Sequence, residues 1–192
     1  MLSLPAMRSA LFALLAAPAV LAGHYLSFRS GVYDARGAGF PLSLILATVA
    51  AAALAGWGLE IATARAAATR RSAASLAIEF AAVLASLLGP AMLHRHEMPL
   101  AFGLFALLGL RLLDNHQADR WAASVAIGLD FAVEALLVHQ GAYGYSHAMV
   151  SPLPVWLPAV WANLGVACWR LYPALKRFGA SSEPPASAQP SA

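Results

Sequence analysis

Apolar residues run along this chain in six helix-length blocks, parted by short stretches rich in Gly, Pro and polar residues such as Ser30–Gly39, Arg65–Ser72 and Asp114–Arg120. The blocks predict spans from about Ala10 to Phe28, Phe40 to Thr63, Ala73 to Leu93, Pro99 to Leu113, Trp121 to Gln140 and Leu153 to Tyr172. About 20 residues of α-helix are needed to cross about 30 Å of hydrocarbon, so the fourth block is short. The expected fold is an all-α polytopic membrane helix bundle of about six transmembrane helices, forming one domain over residues 1–178. A tail rich in Ser, Pro and Ala, residues 179–192, is expected to be disordered. Arg8, the apolar Leu11–Ala17 and small residues up to Ala22 also fit a cleavable signal peptide, and removal of residues 1–22 would leave five spans.

Composition agrees. Hydrophobic residues make up 60% of the chain and charged residues 11%, against about 45–50% and about 25% in soluble domains. The net charge of +3 reflects where arginines fall rather than a basic stripe, so no nucleic-acid partner is expected. The single Cys168 forms no internal disulfide. Arg8, Arg65, Arg70, Arg71, Arg111, Arg120, Arg170, Lys176 and Arg177 fall on one side of the expected bundle; only Arg29, Arg36 and Arg95 fall on the other. The positive-inside rule then places both termini in the cytoplasm of a bacterial-type inner membrane, if the first span is kept. Small residues in every span predict tight helix packing, and Ala47–Gly56 would suit contacts in a homo-oligomer or larger membrane complex.

Four carboxylates interrupt the apolar blocks: Glu60, Glu79, Asp130 and Glu134. Each is costly inside a bilayer and so points to function. Glu60 and Glu79 are expected at similar depths on consecutive helices. Asp130 lies ten residues past Arg120, roughly 15 Å along the helix, and Glu134 one turn further on the same face. That stripe continues toward Gly141 and Tyr145, and Asn163 of the sixth span is expected to meet Asp130. No Lys or Arg is expected at the depth of these acids. A carboxyl kept protonated in an apolar cavity can act as general acid or as proton carrier. Asp130 and Glu134 are therefore the catalytic candidates. Tyr143, Tyr145, Trp161, Asn163, Glu60 and Glu79 are the candidate substrate-binding residues.

The expected topology gathers His24, His94, His96, His139 and His147 at the opposite face from His116. His24, His94, His96 and His139 are candidate metal or haem ligands, yet no HExxH or CxxC framework is present, and polar interfacial loops readily carry histidine. No P-loop, GxSxG or dinucleotide fingerprint occurs. No particular cofactor is implied.

Glu134, Gly141, Tyr143 and Tyr145, followed by Pro154-Val155-Trp156-Leu157-Pro158-Ala159-Val160-Trp161, resemble a pattern in the membrane carotenoid hydratases, which add water across a terminal isoprenoid double bond. The resemblance covers the last third of the chain and implies Asp130 and Glu134 as the acids. Three functions follow from these readings. The first is an intramembrane enzyme using the acids on an apolar lipid or isoprenoid. The second is a proton-coupled transporter. The third is a structural or assembly subunit whose outer histidines hold metal or haem.

Overall fold

The computed structural model describes residues 3–34, 41–63, 73–113, 116–148 and 152–180. The segments carrying Arg36, Arg65, Arg70 and Arg71, and the tail from 181 onward, lie outside the described residues. Among the described residues six helices form: α1 (Leu4–Arg29), α2 (Leu42–Ala62), α3 (Ala73–Leu93), α4 (Glu97–Leu112), α5 (Gln117–His139) and α6 (Leu157–Ala180). Two short strands, β1 (Tyr33–Asp34) and β2 (Gly144–Tyr145), follow α1 and α5. The polytopic all-helical bundle expected from the apolar blocks is the fold observed.

Four helices, α1, α2, α3 and α5, are long and apolar enough to cross a membrane. They turn large side chains outward, among them Leu14, Leu42, Leu54, Trp57, Phe80, Trp121 and Leu129. Such a surface is untenable in water and normal against lipid. By contrast α6 is the protein-facing helix, packing on α5, α3, α4 and α1. Its Ala159, Ala162, Asn163, Val166 and Ala167 are wholly buried. This explains why its hydropathy is the weaker signal: a helix surrounded by protein need not be uniformly apolar. The expected start at Leu153 shifts to Leu157, after Pro154, and Pro158 sits in the first turn, where early N–H groups need no partner.

Close approach rests on small residues. A Cβ on Gly165 would lie 2.5 Å from Ala126 Cβ and 2.7 Å from Ala122 O, so α6 meets α5 almost backbone to backbone. A Cβ on Gly56 would lie 2.9 Å from Ser9 O, which joins α2 to α1 in the same way.

α1 and α5 end alike. Each closes on a glycine in the left-handed region, Gly31 (φ 81°) and Gly141 (φ 71°). Val32 N–H bonds Ser27 O and Ala142 N–H bonds Leu137 O, the reverse hydrogen bonds of a Schellman cap. Each cap delivers the chain into a strand, and the strands pair antiparallel with Tyr33 opposite Tyr145. This small ladder fixes the next layer of chemistry.

Candidate functional site

Two polar clusters lie at opposite ends of the bundle. At the arginine-rich end, Glu79 of α3 is 1% exposed. The expectation that no basic group reaches this acid is corrected: Glu79 pairs with Arg111 of α4 and, at 2.9 Å, with Arg170 of α6. Both arginines stand on later helices whose ends return to this side of the bundle, which linear spacing conceals. Arg170 also binds Asp119 at the start of α5 at 2.6 Å and donates to Arg111 O at 2.7 Å. Arg111 donates to the Asn163 carbonyl and to its Oδ1 at 2.9 and 2.7 Å. Asn163 Nδ2 donates in turn to Leu104 O and Ala159 O. The expected meeting of Asn163 with Asp130 is therefore not made, since the amide is fully used by α4 and α6. Two arginines and two acids cancel in charge and tie together four helices. Beside them, Tyr172 donates to Glu60 Oε2 at 2.6 Å, and Arg8 lies 4.0 Å from Glu60 Oε1.

The other end is built on the paired strands. Glu134, 2% exposed, accepts hydrogen bonds from Tyr143 and from Tyr145 (2.9 Å), both on its Oε2. Asp130 lies one turn earlier, partly buried, and makes no hydrogen bond to another described residue. Burial holds the phenols of Tyr33, Tyr143 and Tyr145 well above their ordinary pKa, and the nearby Glu134 charge adds to this. All three stay protonated, each with one hydrogen to give. Tyr33 packs edge-on against Tyr145 with ring centroids 5.2 Å apart, and its hydroxyl lies 2.6 Å from His24 Nδ1. Two hydrogen-bonded pairs, Tyr145 with Glu134 and Tyr33 with His24, therefore meet at this ring contact.

His24 opens onto a narrow crevice between α1, α3 and α6. Val20, Leu87, Pro90, Leu157, Val160 and Leu164 make the walls apolar. Polar groups reach it from His24, Ser27, Tyr33, Ser86 and Trp161. Two of these are unsatisfied: Ser86 Oγ and Trp161 Nε1 are buried with no hydrogen-bond partner among the described residues. Leaving such a group without a partner costs about 1–3 kcal/mol. Glu134 does not line the crevice; Tyr33 and Tyr145 stand between.

Of the histidines considered as ligands, His24 bonds the Tyr33 hydroxyl, and His94 stacks on His147 with ring centroids 5.6 Å apart. His96 and His139 are exposed. The described residues contain no group of three or more side chains placed to hold a metal ion. Sequence reasoning overlooked Tyr33, Ser86 and the role of His24. The signal was present for Tyr33: Gly31-Val32-Tyr33 echoes Gly141-Ala142-Tyr143, both just past a helix end. Nothing local marks Ser86, which depends on which face of α3 meets α6.

No protein-family model matches the sequence, and no curated protein matches it significantly. Solved structures do match. A cross-linked trimer of MvINS aligns with a TM-score of 0.71 at 19% identity, over 93% of this chain and 96% of that one. MvINS from Mycobacterium vanbaalenii, described as a mycobacterial Insig homologue, aligns with a TM-score of 0.67 at 17% identity over the same shares. The fold is Insig-like. The resemblance to carotenoid hydratases is thereby corrected: similarity over nearly the whole chain runs to an Insig homologue. The residues that suggested the hydratases have another role, since Gly141, Tyr143 and Tyr145 form the cap and strand around Glu134, and Tyr145 packs edge-on against Trp156 at 6.0 Å.

Proposed function

We propose that this membrane protein binds a neutral, lipid-like molecule in the crevice between α1, α3 and α6, and that occupancy of this site is its primary function. The observation that carries the reading is the pair of buried, unpartnered groups, Ser86 Oγ and Trp161 Nε1, in a largely apolar crevice. Ligand sites combine apolar walls with a few convergent polar groups. The groups offered here are uncharged, which suits a hydroxyl or carbonyl head on an apolar body. Assembly belongs to the same reading: MvINS has been crystallised as a cross-linked trimer, and this chain is expected to associate with its own copies in the bilayer.

Lipids retained through purification in mild detergent test the idea. Wild-type protein should keep a neutral lipid in near-stoichiometric amount, and Trp161→Phe, which preserves the ring, should lose most of it. The same lipids in the same amounts in both would refute the site.

Catalysis on such a ligand is the second reading, and one observation favours it: Glu134 and its Tyr145 partner pack directly behind Tyr33, whose hydroxyl bonds His24 at the crevice. Its test is turnover of the retained lipid, abolished in Glu134→Gln.

A further inference from the structure

A second, smaller pocket lies next to the crevice and shares Trp156 with it. Val32, Pro154, Trp156 and Tyr145 form its walls, and His94 and His147 reach it from two different segments. His94 stands in the turn between α3 and α4, and His147 two residues past β2. Backbone hydrogen bonds fix both positions: His94 N–H bonds Pro90 O at 3.0 Å, and Ser146 N–H bonds Val32 O at 3.0 Å. His94 is 7% exposed, and its Nδ1 is buried with no hydrogen-bond partner among the described residues. A buried ring nitrogen left in that state carries a desolvation cost that a ligand removes. His147 is exposed, which gives a ligand its way in.

The spacing of the two imidazoles fits a shared metal ion. A Zn–N bond of about 2.0–2.1 Å puts a ring centroid roughly 3.2 Å from the ion, so two rings at a tetrahedral angle have centroids about 5.2 Å apart. His94 and His147 stand 5.6 Å apart with their planes 30° from parallel. Small side-chain rotations close that difference without moving either backbone. Two ligands fall short of a closed structural site, so water fills the remaining positions, as in sites that keep an open face. Imidazole nitrogen suits Zn²⁺, Cu²⁺ and Ni²⁺, and no carboxylate lines the pocket among the described residues, which disfavours Ca²⁺ and Mg²⁺.

We propose that His94 and His147 form an open two-histidine site for a late first-row divalent cation, Zn²⁺ or Cu²⁺, which ties the α3–α4 turn to the segment after β2. Ligation gives the orphaned His94 nitrogen its partner. Burial lowers the His94 pKa, so the ring meets the ion already neutral. The surrounding charge favours a cation. Tyr145, a wall of the pocket, donates to Glu134, and no Lys or Arg forms an ion pair with Glu134 or Asp130 among the described residues. Arg95 opposes the cation, but it is exposed and screened by water. Because β2 carries Tyr145 to Glu134, the bound ion also braces the strand that holds this acid. The site is independent of the crevice and its ligand, since His24, Ser86 and Trp161 do not line the smaller pocket.

The test is Zn²⁺ titration of tag-free, full-length protein in lipid nanodiscs by calorimetry, with Cu²⁺ electron paramagnetic resonance to count the ligands. Wild type should bind one Zn²⁺ per chain, and the Cu²⁺ spectrum should show coupling to two imidazoles. His147→Ala, at an exposed position that tolerates truncation, should leave one coupled imidazole. It should also weaken Zn²⁺ binding at least about 100-fold, since losing a group that merely orients a ligand already costs about 10–100-fold. His94→Ala should do the same, while His139→Ala, an exposed histidine at the end of α5, should bind as wild type does. Zn²⁺ should raise the Tm of wild type and not that of His147→Ala. No saturable Zn²⁺ binding would overturn the inference, because water alone would then satisfy the His94 nitrogen. Binding unchanged in His147→Ala would overturn it too, as would a Cu²⁺ spectrum with a single imidazole in wild type.

Discussion

The two polar clusters use similar ingredients to opposite ends. Around Glu79, two acids, two arginines and an asparagine amide consume nearly every donor and acceptor they have, and connect α3, α4, α5 and α6. Around Glu134 the donors are tyrosines, no Lys or Arg pairs with it among the described residues, and the neighbouring crevice holds a histidine and two unpartnered groups. A buried acid in a membrane therefore carries no single meaning. Where its network closes on itself the acid is architecture, and where hydrogen-bonding capacity is left over next to a cavity the acid belongs to a site.

The largest expected effect breaks the closed cluster. Glu79→Ala strands the buried Arg111 guanidinium and leaves Arg170 with Asp119 alone, and removing one partner of a buried ion pair costs about 3–5 kcal/mol. Unfolding of the reconstituted protein by denaturing detergent should show a loss of that size. A loss under about 1 kcal/mol would mean that water already neutralises this cluster.

Glu134→Gln should be far milder. The amide oxygen still accepts from the tyrosines and no cation is stranded, so the expected loss is about 0.5–1.5 kcal/mol, the worth of an ordinary hydrogen bond. The pair of substitutions sharpens the contrast: comparable losses for both would erase the distinction between architecture and site.

Trp161→Phe removes a donor that has no partner. Stability in the absence of ligand should hold or rise by up to about 1 kcal/mol, because a desolvation penalty is relieved, while lipid retention falls. A clear loss of ligand-free stability would show that the indole N–H is satisfied in the native protein.

The smallest effect concerns His94, in the turn after α3. Burial lowers its pKa below the ordinary 6.5. The unfolded chain then takes up the proton first, so this residue contributes stability above pH 6.5 that is lost as pH falls from there toward its folded value. His94→Leu should flatten the acid side of the thermal-stability profile by a few tenths of a kcal/mol. A profile identical to wild type would remove His94 from the account.

Much of the architecture was legible from apolar periodicity. The six blocks became six helices, because burying backbone polar groups in lipid leaves helix as the available local structure. The end of α5 was visible in Gly141, and the sharing of one helix face by Asp130 and Glu134 in their i, i+4 spacing. Pairing was not legible. Arg111 and Arg170 read as loop-side charges by position, yet their long side chains reach inward to Glu79, which only the packing of α3, α4 and α6 determines. The crevice was hidden for the same reason: Ser86, His24 and Trp161 come from three helices far apart in sequence, and none has a local signature. Trp161 was singled out as a cavity residue, and it does line the crevice. Tyr143 and Tyr145 were singled out too, but bind Glu134 rather than line that space.

The central claim is that unsatisfied groups beside the His24 crevice mark a lipid site. Photolabelling in proteoliposomes tests it most directly, using a long-chain alcohol that bears a diazirine near its hydroxyl, with adducts mapped by mass spectrometry. The account predicts adducts concentrated on the crevice walls of α1, α3 and α6, around Gly23 to Ser27, Ser86 to Pro90 and Leu157 to Leu164, and strongly reduced in Trp161→Phe. Labelling spread evenly over the lipid-facing sides of α1, α2, α3 and α5, and unchanged by that substitution, would contradict it.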